Sequence, residues 1–185
     1  GRPLEVWRQL VAEFPIAAVH TNRDYEPSAL ARDREVAALL AEHGIPFHSH
    51  KDQVIFDGDE VVKEDGRPYT VYTPYMRKWL ARLTPEDLAA HPSEKLLGRM
   101  AQGVEGGVPP LAEIGFTPMA VESAPMVDEA IIRNYDRTRD LPAVAGTTRL
   151  GVHLRFGTVS IRRLAALGRA LNQTWLQELI WREFF

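Results

Sequence analysis

With 185 residues, 45% apolar and 25% charged, the chain is composed like a globular protein with a real core, which excludes a disordered tail. Zero cysteines exclude disulfides and thiolate metal sites and point to a cytoplasmic protein. A formal net charge of −3 argues against a nonspecific nucleic-acid coat, and no apolar run approaches the ~18–20 residues of a membrane span.

Taken in order, Pro3 suits the first position of a helix, and Leu4, Trp7, Leu10, Val11 and Phe14 give it an apolar stripe. Pro15 ends it. Residues 16–19 read as a short buried strand, 21–24 as a loop, 27–43 as a helix stopped by Gly44, and 45–48 as the next strand. Helix, strand, helix, strand at this spacing predicts βαβ crossovers and a parallel sheet. Residues 52–56 are apolar and fit a strand or a helical turn. Residues 61–72 read as a hairpin around the Asp65-Gly66 turn. Thr73 then Pro74 reads as an N-cap and first helical residue, opening a helix to Arg82.

From 84 to 125 the Pro and Gly density rises, as in an interdomain connector. Gly106-Gly107 lacks the Gly-Lys-Ser/Thr of a phosphate loop. Beyond Pro125 the pattern is helical. Residues 127–139 are amphipathic, with Ala130, Ile131, Asn134 and Tyr135 as inward candidates. Thr147 or Thr148 reads as the cap of a helix reaching about Phe156, Gly157 breaks it, and Ser160 caps the next helix to about Leu171. Residues 126–185 hold 9 arginines and no lysine against 6 acids, a bias toward phosphate-gripping side chains.

The last stretch, residues 175–185, contains no helix breaker. Trp175, Glu178, Trp181, Arg182 and Phe185 fall on one helical stripe, and Leu176, Leu179, Ile180 and Phe184 on its neighbour. An acid and an arginine among tryptophans suit a flat hydrogen-bonding ligand such as a nucleobase or a flavin ring. The same spacing also fits a buried helix with an i,i+4 pair between Glu178 and Arg182. His48 and His50 can share one side of a strand, but the spacing shows no third metal ligand, and no metal is expected. His153 reads as structural.

Trp-x-x-Glu-Leu-Ile-Trp-Arg-Glu-Phe-Phe from Trp175, with Gly146-Thr147-Thr148-Arg149-Leu150 and the segment from His153 to Ser160, resembles the DNA photolyase/cryptochrome family. So do Asn22-Arg23-Asp24-Tyr25-Glu26-Pro27 and Tyr69-Thr70-Val71-Tyr72-Thr73-Pro74-Tyr75. Glu178 (where (6-4) enzymes usually carry Gln) and Glu183 (where DASH-type cryptochromes tend to have Asp) favour the cyclobutane-dimer class, closest to class I photolyases.

The resemblance implies an α/β Rossmann-like antenna domain, partial, with a parallel sheet, then a linker and the start of an all-α FAD-binding domain. Residues 1–83 would be the latter part of the antenna domain, 84–126 the linker and 127–185 the opening of the helical domain. The implied FAD contacts are Tyr135, the Thr147, Thr148, Arg149, Leu150 and Gly151 junction, and Arg182. Thr148 keeps a hydroxyl where the family usually has serine, whereas Gly151 loses the side chain of a later serine. Glu178 and Trp181 match catalytic and substrate positions that face a flipped pyrimidine dimer, with Trp175 beside them.

The implied function is light-dependent repair of cyclobutane pyrimidine dimers by an electron from reduced FAD, in a monomer that binds damaged DNA and no membrane. The second chromophore stays open between folate, deazaflavin, FMN or none, because Ser28 and Ala29 stand where folate-type members carry an acid. The resemblance also implies that both ends of the family's chain are missing and that this stretch alone is inactive. Two other readings remain: a cryptochrome that signals without repair, and a non-catalytic nucleotide-binding α/β module.

Overall fold

The computed structural model describes residues 2–101, 108–117 and 127–185. Gly106 and Gly107 lie outside the described residues. The chain forms two compact units, residues 1–70 and 71–185.

The first unit is a βαβ crossover preceded by a helix. Helix α1 (Pro3–Glu13) opens with proline, whose missing N–H costs nothing in a first turn. Strand β1 (Val19–Asn22), helix α2 (Pro27–Glu42) and strand β2 (Phe47–His50) follow, and β1 and β2 pair in parallel with His20 opposite His48. The parallel sheet anticipated from the sequence is present, with two strands. Both strands start later than the apolar runs do. Val19 N–H donates to the Pro46 carbonyl at 2.9 Å. One rung further back the ladder would need an N–H from Pro46, and proline has none. Val19, Val36 and Leu40 form the core, with Trp7, Val11, Ile16, Ile45 and Phe47 packed around it.

Residues 52–56 are neither strand nor helix, yet Val54, Ile55 and Phe56 are buried. The turn at Asp65-Gly66 forms, with Gly66 at φ +77° and its N–H on the Lys63 carbonyl, but no strands flank it. The Arg67 N–H that would return the next rung is taken by the Asp65 carboxylate at 3.1 Å.

Among its described residues, the second unit packs five α-helices: α3 (Tyr72–Arg82), α4 (Glu129–Thr138), α5 (Gly151–Arg155), α6 (Ile161–Leu171) and α7 (Gln173–Phe184). Short 3₁₀ turns lie at Glu86–Leu88, Ser93–Arg99 and Leu111–Ile114. Trp79, Ile132, Leu164, Leu176 and Ile180 are fully buried and make the core. On α4 the inward residue is Ile132, while Ala130 and Asn134 are exposed. Helix α3 begins one residue before Thr73, with Val71 as its uncapped N-terminal neighbour. Pro74 still lies in the first turn, where its lacking donor is harmless.

Helix α7 is held at both ends. Asn172 Oδ1 accepts from the N–H groups of Thr174 and Trp175, while its Nδ2 donates to Asp136 Oδ1 at 2.7 Å and to the Arg133 carbonyl at 3.2 Å. Near the other end, Trp79 Nε1 donates to Glu183 Oε1 at 3.1 Å. No helix among the described residues is long and apolar enough to cross a membrane.

Candidate functional site

Helix α7 supplies one wall of a pocket in the second unit. Trp175, Glu178, Leu179 and Arg182 follow the i, i+3, i+4, i+7 spacing and line it together. Tyr135 reaches it from α4. The loop Thr147-Thr148-Arg149-Leu150, with Gly151 and Leu154 of α5, closes a volume of about 300 Å³.

The loop geometry differs from the sequence reading. Helix α5 starts at Gly151, with Leu150 before it, and neither Thr147 nor Thr148 caps it. The cause is Arg149, whose φ of +50° is left-handed and cannot join a right-handed helix. Thr147 and Thr148 thus approach the pocket from irregular backbone. The loop is seated by Gly146, since a Cβ there would fall 2.7 Å from the Thr138 carbonyl oxygen at the end of α4. His153 Nδ1 and Thr158 Oγ1 lie 2.7 Å apart and tie α5 to the Gly157 turn.

Charge in the pocket centres on Glu178. Arg139, at the end of α4, donates through Nη1 to Glu178 Oε1 at 2.5 Å, and both side chains keep about a third or more of their surface in solvent, at 34% and 40%. The Arg139 guanidinium also sits 5.7 Å from the centre of the Tyr135 ring. Burial pushes the Tyr135 phenol above its usual range, the Glu178 charge adds to this and Arg139 opposes it. Arg182 makes a long 3.5 Å contact to the Leu154 carbonyl, linking α7 to α5.

Of the residues singled out from the sequence, Tyr135, Thr147, Thr148, Arg149, Leu150, Gly151, Trp175, Glu178 and Arg182 meet at this pocket. Trp181 does not line it. Six residues beyond Trp175, it sits roughly 120° around the helix, and its indole stacks on Tyr72 of α3 with centroids 3.6 Å apart and planes at 8°. Trp175 is buried with the core face of α7 while its edge reaches the pocket. Sequence reasoning missed Arg139 and Tyr72, which lie 39 and 109 positions from Glu178 and Trp181 and carry no local pattern linking them.

In the first unit, a third imidazole joins His48 and His50. His20 Nδ1 lies 2.8 Å from His50 Nε2, and the His20 ring stacks on both. Residue spacing along β2 could not reveal a partner on β1. No group of three metal-ligating side chains among the described residues is placed to hold an ion.

Comparison with known proteins extends these observations. A family model described as DNA photolyase matches residues 1–94. A deoxyribodipyrimidine photo-lyase of Synechococcus sp. is 32% identical across the whole chain, which covers 44% of that relative. An uncharacterized 31.6 kDa protein of another Synechococcus strain is also 32% identical, and the chain covers 72% of it. The chain thus spans less than half the length of the photo-lyase it matches. Among solved structures, a bacterial class III photolyase from Agrobacterium tumefaciens superposes on the full chain with a TM-score of 0.78 at 24% identity. That likeness shows the fold, and it corrects the placement nearest to class I, since the matching structure is of class III. Glu178 and Glu183, on which the class I placement leaned, are single positions and do not define a class. With half of its residues matched by the family model, the chain belongs to the DNA photolyase family.

Proposed function

We propose that this chain serves light-dependent repair of cyclobutane pyrimidine dimers in DNA, with FAD as the cofactor of the pocket between α4, the 147–150 loop and α7. The observation that carries the reading is the convergence of Tyr135, Thr147, Thr148, Glu178 and Arg182 on one concave surface. The donor set suits such a cofactor: two hydroxyls, a phenol and a guanidinium, set against the apolar Leu150, Leu154 and Leu179. Gly151 leaves the backbone open there, since a Cβ at this position would meet nothing within 4 Å. A volume of about 300 Å³ is at the lower end for ligand sites and covers part of a dinucleotide.

When bound, reduced FAD supplies the electron that opens the dimer's cyclobutane ring. The chain's own residues bind and orient. Thr147, Thr148 and Arg149 would hold phosphate, and Tyr135 and Arg182 would hold the remainder of the cofactor. Glu178 would hydrogen-bond the pyrimidine edge of an extruded dimer, and Trp181 would stack on it, returning ~1–3 kcal/mol per base against an extrusion cost of ~a few kcal/mol. The arginines of residues 126–185 would contact DNA phosphates.

The test is to purify the longest natural form of the protein, record its absorption spectrum, and follow dimer loss in the light and in the dark. Flavin bands with light-dependent dimer loss support the reading. A flavin-bearing protein without repair would support a signalling role instead, and a protein that retains no added flavin would sink both. Bands beyond those of FAD would identify the second chromophore, whether folate, deazaflavin or FMN.

A further inference from the structure

Trp181 is held from behind by a residue of a distant segment. Tyr72, the first residue of α3, lays its ring on the indole at 3.6 Å between centroids and 8° between planes. The same phenol donates its O–H to the Gln177 carbonyl at 2.9 Å. In an α-helix that carbonyl is the acceptor for the N–H of residue 181, so Tyr72 grips both the side chain and the helical turn that present Trp181. Burial, with the Glu178 charge adding to it, raises the phenol's pKa from its ordinary ~10 to about 12.

Phe184 braces the pair edge-on, 5.8 Å from Tyr72 and 5.7 Å from Trp181. With this support on one side, the indole has little freedom to rotate about its side-chain bonds. Trp181 nevertheless remains only partly buried. Phe185 also lies nearly parallel to the indole, at 5.4 Å between centroids and 18° between planes, a contact that a stacking base would share or displace.

We infer that Tyr72 is a positioning residue for Trp181: an aromatic backing, pinned to the Gln177 carbonyl, that fixes the indole plane for stacking on an unpaired pyrimidine. This rests on the proposed role of Trp181 as the stacking surface for an extruded dimer. A flat ligand gains most from a surface already held in the bound geometry, because fewer rotamers are lost on binding. Tyr72 touches no substrate. It acts through Trp181, and its removal should therefore affect extruded bases selectively.

The experiment compares wild type, Trp181→Ala, Tyr72→Phe, Tyr72→Leu and the Tyr72→Leu/Trp181→Ala double variant in the longest natural form of the protein. Binding is measured at fixed salt to a duplex carrying one cyclobutane thymine dimer and to the same duplex undamaged. Near-UV circular dichroism reads the ring pair. Tyr72→Phe keeps the ring and should bind dimer DNA within about twofold of wild type. Tyr72→Leu should lose the ring-pair signal and weaken dimer binding about threefold to tenfold, the range of one aromatic pair, with undamaged duplex unchanged. In the Trp181→Ala background it should add no further loss.

If Trp181→Ala weakens dimer binding and Tyr72→Leu does not, or if Tyr72→Leu weakens both duplexes equally, the positioning role is overturned while the repair reading stands. If Trp181→Ala itself shows no dimer-selective loss, the stacking role fails and this inference with it. Should Tyr72→Leu fail to fold, Tyr72→Met is read by the same rule. Failure of both to fold would assign Tyr72 to packing alone and overturn the proposal.

Discussion

Gly168 of α6 lies against Leu176 of α7 so closely that a Cβ on the glycine would stand 3.0 Å from the Leu176 Cβ and 3.1 Å from its Cα. Trp175 Cε3 closes the same space at 3.0 Å. Alanine normally gains up to ~1 kcal/mol over glycine inside a helix. Here the added methyl meets backbone, which cannot swing aside, and overpacking of this kind costs ~1–3 kcal/mol. Gly168→Ala should therefore lower stability by up to about 2 kcal/mol, the overpacking cost less the helix-propensity gain, read by urea unfolding. A stabilised variant would show that α6 and α7 have room to part. Because Trp175 lines the pocket, the same change should also weaken flavin retention.

Asn172 tests how α7 is set against α4. Loss of an N-cap side chain costs ~0.5–2 kcal/mol, and the bonds from Nδ2 to Asp136 and the Arg133 carbonyl go with it. Asn172→Ala should destabilise by about 1.5–5 kcal/mol in all, each of the two lost bonds adding ~0.5–1.5 kcal/mol to the loss of the cap. Asn172→Asp retains a capping oxygen but faces Asp136 with a second carboxylate. It should fail to rescue, and full rescue in thermal melts would mean that the bonds to α4 are dispensable.

Arg139 and Glu178 separate stability from function. Their ion pair is partly in solvent, and such pairs contribute ~0–1 kcal/mol. Arg139→Met should accordingly leave the unfolding midpoint nearly unchanged. Glu178→Gln should lower repair per absorbed photon more than it lowers affinity for dimer DNA, since the amide keeps an acceptor but changes the charge facing the pyrimidine. Repair quantum yield beside a binding titration decides it. An unchanged yield would remove Glu178 from the chemistry.

The α3–α7 contact should depend on alkaline pH. Burial and the nearby Glu178 raise the Tyr72 pKa to about 12, and burial with Glu183 raises that of Tyr75 further. An unfolded tyrosine titrates near ~10. The folded values lie above the unfolded one, so the stability held by these phenols is complete below about pH 10 and is lost as pH rises toward the folded values. Unfolding midpoints measured across that window should fall in wild type and fall less in a Tyr72→Phe/Tyr75→Phe variant. Equal slopes would mean that neither phenol is linked to folding.

Local physics made much of this protein legible from its residues. Prolines at 3 and 27 and a positive-φ glycine at 44 mark helix ends, and each acts through its own backbone, so no partner need be known. The βαβ unit followed from apolar runs spaced around one amphipathic helix. The pocket residues were nameable because Trp175, Glu178 and Arg182 share a helix face and because the Thr147–Leu150 block resembles a known family motif. What periodicity could not show was where that face divides. Trp181 belongs to the same polar-aromatic run, yet it turns toward α3 and leaves the pocket to Leu179, a residue that reads as core.

The remainder was decided by tertiary structure, for a common reason. The late start of both strands depends on which rung of the ladder meets Pro46, a register between two segments. The short α5 depends on the left-handed Arg149, a conformation that no local signal announces for arginine. Arg139 on Glu178, Tyr72 on Trp181 and His20 on His50 are pairs whose members lie 39, 109 and 30 positions apart. Sequence by itself determined most of the helices, the βαβ order and the residue types available for chemistry, because those follow from short-range sterics and burial. Only the packed structure determined which of those residues face one another, because pairing across elements is set by the register and crossing of whole segments.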